Sequence, residues 1–265
     1  MVPVSHRCSG PPPTASLDGL GCPPSEAVFL WAGPLSWHDP ADLARSDRML
    51  PPPVSATPPA FAGSGLACRR GERLVFAGLD FAIVAGDALL LTGPNGSGKS
   101  SLLRLMAGLT PPESGSLAWD GGAITEDPGA HRARLHFIGH QDALKPGLTA
   151  AEMLGFWAGM RGATNVLPAL QRFRLASLAD WPCRLLSAGQ RRRVALARLV
   201  ASAAPLWLLD EPMSGLDAEA MATLTAVIEE HRSGGGRIAL STHAPLPLAG
   251  AATLSLADFQ PRRGG

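Results

Sequence analysis

Eight consecutive residues carry the densest chemical information in the chain. Gly93-Pro94-Asn95-Gly96-Ser97-Gly98-Lys99-Ser100 fits the pattern G-x-x-x-x-G-K-[ST], a loop that cradles phosphate. Its glycines let the backbone curl until successive N–H groups face phosphate oxygens, and the helix that follows adds its positive N-terminal end. In this pattern Lys99 reaches the β- and γ-phosphates of a nucleotide such as ATP, and the Ser100 hydroxyl holds Mg²⁺. Ser101 completes the binding segment. Lysine is scarce, with only Lys99 and Lys145 among 23 basic residues, so a lysine at the one position that demands it carries weight.

A phosphate loop hydrolyses nothing by itself, since it lacks a second metal ligand and a base. The apolar run Leu206 to Leu209 ends in Asp210 and Glu211, which puts one carboxylate on the Mg²⁺ side and lets the next polarise an attacking water. Upstream, Leu186-Ser187-Ala188-Gly189-Gln190 combines a serine able to cap a helix with a glycine that permits close approach, together a second anion site. Each string also has a plain reading. Asp-Glu after an apolar run can be a strand entering solvent, and Ser187 can be an ordinary helix cap.

These residues need rigid elements behind them. Ala88 to Thr92 reads as a short strand, and Leu102, Leu103, Leu105, Met106 and Leu109 recur at helical spacing, so the glycine-rich turn falls between strand and helix. Leu74 to Phe76 and Leu79 to Val84 also read as strands. The runs Leu135 to Ile138, Leu206 to Leu209 and Ile238 to Leu240 are each followed at once by polar residues, as at the carboxyl ends of parallel strands where ligands bind. Residues 149–204 read as mostly helical, broken at Gly155, Gly162, Pro168 and Pro182. No internal repeat is present, and the alternation predicts an α/β architecture around a largely parallel sheet.

Proline divides the chain: 13 of its 25 prolines fall in residues 1–60, a density that blocks helices and central strands. Residues 1–62 are therefore expected to be a Pro-rich disordered extension, unless translation begins further in, for instance at Met49. The folded domain is expected over 63–260. With 46% hydrophobic and 17% charged residues, the whole reads as globular. A net charge of +1 and no basic run longer than Arg191 to Arg193 speak against nucleic acid. Cys8, Cys22, Cys68 and Cys183 show no C-x-x-C spacing, which disfavours zinc or a disulfide frame and suits reduced thiols. The apolar run near Leu199 to Leu209 is too short to span a bilayer, and no basic start with an apolar stretch marks export.

The string from Leu186 to Gln190, just before the Asp210 strand, resembles the signature of the ATP-binding-cassette (ABC) ATPases. Further elements follow in that family's order. Gln141 corresponds to the glutamine that contacts Mg²⁺ and the attacking water, Ser214-Gly215-Leu216-Asp217 resembles the D-loop, and His243 resembles the switch histidine at the γ-phosphate. The resemblance implies a P-loop NTPase fold with a RecA-like core sheet, a small antiparallel β subdomain and a helical subdomain at about 142–190. It also implies a head-to-tail homodimer in which Ser187, Gly189, Gln190 and Asp217 meet ATP held by the opposite copy. One departure is Arg70 where an aromatic residue ordinarily stacks on adenine. The chain has no tyrosine, and an arginine plane can stack on a base instead, which leaves base selectivity open.

Three strings narrow the resemblance to the ATP-binding subunit of the c-type cytochrome maturation (haem exporter) complex: Phe137 to Thr149, Leu186 to Arg198, and Thr242-His243-Ala244-Pro245-Leu246. Met153 stands where that family has asparagine. There is no C-x-x-C-H, and His136 and His140 are poor haem ligands against ordinary surface histidines. The resemblance implies an ATPase at the cytoplasmic face of the bacterial inner membrane, peripheral to separate multi-span subunits, that powers haem export or release of a haem-loaded chaperone. The alternatives are the ATPase of another ABC transporter and a soluble cofactor-assembly scaffold; a P-loop kinase leaves Leu186 to Gln190 unexplained.

Overall fold

Continuous apolar runs in the second half of the chain demand burial on both faces, and a parallel sheet with cover on each side supplies it. In the computed structural model, which describes residues 60–242 and 248–261, five parallel strands form that sheet. They are β3 (Ala88–Thr92), β6 (Leu135–Ile138), β7 (Leu206–Asp210), β8 (Arg237–Ser241) and β9 (Ala252–Ser255), in the order β6-β7-β8-β3-β9. A second, antiparallel sheet has the order β2-β1-β4-β5 and comprises β1 (Ala60–Arg70), β2 (Arg73–Val84), β4 (Ser114–Trp119) and β5 (Gly122–Ala123). The helices are α1 (Lys99–Met106), α2 (Pro128–Ala133), α3 (Ala150–Gly159), α4 (Leu167–Arg172), α5 (Ala188–Ala201) and α6 (Ala218–Ser233).

Side chains alternate across a strand, and here the alternation separates two cores. Leu206 and Leu208 of β7, Ala239 of β8, and Leu89 and Leu91 of β3 join α1 and the antiparallel sheet. Trp207 and Leu209 of β7, with Ile238 and Leu240 of β8, face α3 to α6 on the other side. Every residue of β7 and β8 is buried, so their carboxyl ends are fixed platforms.

The sheet begins earlier than the sequence boundary at 63. β1 starts at Ala60 because Phe61 is fully buried against Phe81, Trp119 and His131. Leu74 to Phe76 and Leu79 to Val84 are one strand, with Gly78 passing through a positive φ of 68° between them. Gly155 does not break a helix but lies inside α3, whereas Pro168 sits in the first turn of α4, where its missing N–H is harmless. Met153, the mismatch in the family string, is buried, and its Sδ accepts the Lys145 N–H at 3.4 Å. No helix among the described residues is long and apolar enough to cross a membrane. Residues 1–59, where the proline-rich extension was expected, and residues 243–247 with His243 lie outside the described residues.

Candidate functional site

Parallel strands deliver their following loops to one edge of a sheet, and the strand order makes four such loops neighbours. β3 ends in the glycine-rich loop, β6 leads to Gln141, β7 ends at Asp210 and Glu211, and β8 ends at Ser241.

The loop from β3 to α1 is shaped for an anion. Gly93, Gly96 and Gly98 have φ of 133°, 77° and 107°, values that suit glycine alone. At Gly98 there is no room either, since a Cβ would lie 2.7 Å from Val75 Cγ1 and 2.9 Å from Phe76 Cδ1. The start of α1 has neither a side-chain cap nor an acidic residue in its first turn, so its orphan N–H groups and positive dipole end suit an incoming phosphate. Ser97 Oγ is buried without a hydrogen-bond partner, an orphaned polar atom within the loop that a phosphate oxygen would satisfy. Lys99 is 6% exposed and its Nζ donates to the carbonyls of Gly93 at 2.7 Å and Pro94 at 3.3 Å.

Two cavities meet at this loop. One, of about 400 Å³, is lined by Asn95 to Ser101 together with Arg70, Arg73, Val75 and Glu211. The other, of about 420 Å³, brings together Ser100, Gln141 and Asp210, with Arg70, Arg104 and Arg198 around them. The three residues expected at the metal thus share one cavity, and the expected base shares the other with the phosphate loop. Asp210 is 5% exposed. Its Oδ1 accepts from Ser241 Oγ at 2.7 Å, and among the described residues no cation pairs with it. A buried carboxylate with one neutral donor is well matched to a cation. The donor set is a hydroxyl, an amide and a carboxylate, oxygen ligands of the kind Mg²⁺ prefers.

Glu211 follows with a left-handed backbone, φ 49°. Its N–H donates to Ser241 Oγ at 2.9 Å and its carbonyl accepts from Arg192 Nη2 at 2.9 Å. The turn therefore carries its residue in a conformation that side chains disfavour.

Ser187, Gly189, Gln190 and Asp217 line neither cavity. Ser187 caps α5 in a reciprocal box: its Oγ accepts the Gln190 N–H at 3.2 Å, and Gln190 Oε1 accepts the Ser187 N–H at 2.8 Å. The cap reading of Ser187 is thus true as far as it goes, and Ser187 is also exposed at the helix tip. A Cβ on Gly189 would sit 3.2 Å from Gly215 O, so the signature packs on the D-loop. Asp217 caps α6 through Ala220 N at 2.8 Å.

His136 is not a surface residue. It is 3% exposed, and its Nε2 donates to Ser202 O at 2.8 Å; burial pulls its pKa down to about 3. A neutral, occupied ring of this kind is a structural one. His140 is exposed beside Gln141.

Several residues at the site carry no motif signal. Arg73 and Val75 enter from β2, and Arg104 and Arg198 from α1 and α5. Ser241 was visible only as the polar residue ending a strand, and Arg192 only as one of three consecutive arginines.

A family profile described as ABC transporter matches residues 76–214. The chain is 52% identical over 219 residues to the cytochrome c biogenesis ATP-binding export protein CcmA of Rhodospirillum rubrum, covering 80% of this chain and 94% of that relative. For the protein of the same name from Paramagnetospirillum magneticum the identity is 54% over 205 residues, with 75% and 94% covered. A solved structure described as the ATP binding subunit of an ABC transporter superposes with a TM-score of 0.65 at 27% identity, over 69% of this chain and 79% of that one.

Proposed function

Since the chain belongs to the ABC transporter family and, within it, to the cytochrome c biogenesis ATP-binding export proteins, we propose that it hydrolyses ATP to power a membrane complex that moves haem, or frees a haem-loaded chaperone, for c-type cytochromes. It acts as a peripheral subunit at the cytoplasmic face of the inner membrane, docked on separate multi-span subunits. That its relatives are export proteins favours this motor over an assembly scaffold.

The observation that carries the catalytic reading is the convergence of Ser100, Gln141 and Asp210 on one cavity while Glu211 lines the adjoining one with the phosphate loop. The first turn of α1 and the Lys99 ammonium bind the phosphate tail. Ser100, Gln141 and Asp210 would hold Mg²⁺, which when bound would supply Lewis-acid neutralisation of the phosphate oxygens. Glu211 takes a proton from the attacking water, Gln141 orients that water, and His243 steadies the γ-phosphate. Ser187, Gly189, Gln190 and Asp217 lie away from both cavities, which supports a head-to-tail homodimer in which the second copy's signature closes each nucleotide site.

Glu211→Gln tests this directly. The full chain carrying it binds ATP as wild type does, and turnover falls about 10²- to 10⁴-fold, the usual share of a general base. Full turnover in that variant overturns the assignment of Glu211. Co-purification of the chain with a multi-span partner tests the docking.

A further inference from the structure

Nothing in the nucleotide chemistry above requires Arg192, yet this guanidinium is 5% exposed in the centre of the machinery. Its Nη1 donates to Gly139 O at 3.0 Å and Asp142 Oδ1 at 3.2 Å. Its Nη2 donates to Asp210 O at 3.1 Å and Glu211 O at 2.9 Å. Gly139 and Asp142 flank Gln141, whereas Asp210 and Glu211 are the carboxylate pair. A single buried fork on the signature helix α5 therefore grips both loops at once. Arg198, less than two turns further along α5, holds the strand that leads to the same loop through Phe137 O.

Geometry and desolvation together decide what this contact is for. A buried guanidinium is costly unless its N–H groups are occupied; here both Nη atoms are occupied and Nε is not, and only one of the four acceptors is a carboxylate. The other three are main-chain carbonyls, so the contact fixes backbone positions. The peptide it holds on one side is the left-handed Glu211, whose N–H is tied to Ser241 at the other end. A planar fork can span two loops in this way; a lysine, with one compact ammonium, cannot satisfy both sets of carbonyls.

We propose that Arg192 is a positioning residue for hydrolysis: it sets the aim of Glu211 and ties it to the loop carrying Gln141, so that a displacement of that loop changes turnover. This rests on the role proposed for Glu211. It concerns the rate of the chemical step and leaves nucleotide affinity to the phosphate loop.

ATP turnover and ATP affinity of the full chain, alone and co-expressed with its membrane subunits, are compared for Arg192→Gln, Arg192→Lys and Asp142→Asn. Misplacing a reacting group by about an ångström costs up to about 100-fold, so kcat of Arg192→Gln falls at least about tenfold while KM and ATP affinity stay within about threefold. Arg192→Lys recovers part of the loss. Asp142→Asn gives a smaller loss, and the double variant is no slower than Arg192→Gln alone, as for residues acting through one contact. Turnover within about twofold of wild type in Arg192→Gln overturns the proposal, as does a parallel fall of affinity and kcat. Should Arg192→Gln not fold, full turnover in both Arg192→Lys and Asp142→Asn overturns it equally. Failure of the parent reading looks different, since Glu211→Gln then turns over freely whatever Arg192 does.

Discussion

Ser241 stands directly opposite Asp210 across the β7–β8 ladder, and its hydroxyl donates to Asp210 Oδ1 at 2.7 Å. The same oxygen accepts the Glu211 N–H at 2.9 Å. One small side chain thus orders the carboxylate assigned to the metal and the peptide of the carboxylate assigned to the water.

Ser241→Ala removes both bonds without changing the volume much, and leaves a buried carboxylate without its neutral donor. Hydrogen bonds to charged groups are worth about 1.5–3 kcal/mol, and each kcal/mol moves the melting temperature of a domain this size by about 2–4 °C. The melting temperature should fall by about 3–12 °C, with kcat lowered more than KM is raised. Thermal denaturation and steady-state kinetics on the same preparation check both halves. Ser241→Thr, which keeps the hydroxyl, recovers turnover if it packs beside Leu91 on β3, its neighbour in register.

The left-handed φ of 49° at Glu211 predicts an unusual stability order. A side chain in that region costs about 1–2 kcal/mol relative to glycine, which exceeds the extra chain entropy glycine brings to the unfolded state, about 0.4–1 kcal/mol. Glu211→Gly and Glu211→Ala should both be inactive, with the glycine variant the more stable by about 1 kcal/mol. Chemical denaturation of the two variants settles the order; a more stable alanine variant would mean that the turn is relaxed.

How much of this was legible in the sequence depends on where the information sits. The phosphate loop, the strand before it and the helix after it are local, because glycine, lysine and apolar spacing specify them within a dozen residues; β3 and β6 match the expected ranges residue for residue. β7 runs one residue past its apolar run and β8 one residue past its own at each end, because Asp210 stays paired with Ser241 and Leu206 with Arg237. The contacts that order the site are not local. Arg192 meets Gly139 and Glu211 only after α5 packs on β6 and β7, and Ser241 meets Asp210 only through strand pairing, so neither residue type nor spacing announces them. Burial is equally hidden: His136 alternates correctly for a strand, but whether its face meets core or water depends on Ser202, 66 residues away.

His136 makes stability pH-dependent with a definite sign. Desolvation holds its folded pKa at about 3, below the ordinary 6.5, so the unfolded chain binds a proton between these values and the folded chain does not. Its contribution is whole above about pH 6.5 and is lost as pH falls toward 3, at about 1.4 kcal/mol per pH unit for one proton. His231, lowered to about 4 by burial, acts in the same direction. His136→Gln, which can still donate to Ser202 O, should flatten the acid limb of a melting-temperature profile between pH 6.5 and 4 by about one proton. An unchanged limb means that other groups control it.

Base selectivity follows from what surrounds the phosphate cavity. Arg70 lines both cavities, Arg73 and Val75 line the first, and among the described residues no aromatic side chain lines that first cavity. A guanidinium plane stacks on purines with little regard for their exocyclic groups, so GTP should compete with ATP to within about tenfold. Arg70→Ala should weaken both by about 3- to 30-fold, the range of one exposed to partly desolvated cation–π contact. Competition binding with a fluorescent nucleotide measures each ratio, and strong preference for ATP would require a recognition group other than these arginines.

The head-to-tail dimer proposed above, in which a second copy completes each site, predicts complementation. Lys99→Ala removes the phosphate ligand of a copy's own loop. Ser187→Asp keeps the α5 cap, since aspartate caps as well as serine, but presents a negative charge to the phosphate facing it. Neither variant alone should turn over ATP. Mixed, they form a dimer in which one site joins the intact loop of the Ser187→Asp copy to the intact signature of the Lys99→Ala copy, while the other site carries both defects. Turnover should therefore reappear on mixing, to at most about half that of wild type per dimer if the sites act independently, and it should depend on the mixing ratio with a maximum near equality. Size-exclusion chromatography with ATP and the Glu211→Gln background supplies the independent measure, a shift from monomer to dimer that Ser187→Asp abolishes. Recovery absent across all ratios, with both variants folded, would show that the signature tip does not serve a neighbour's nucleotide.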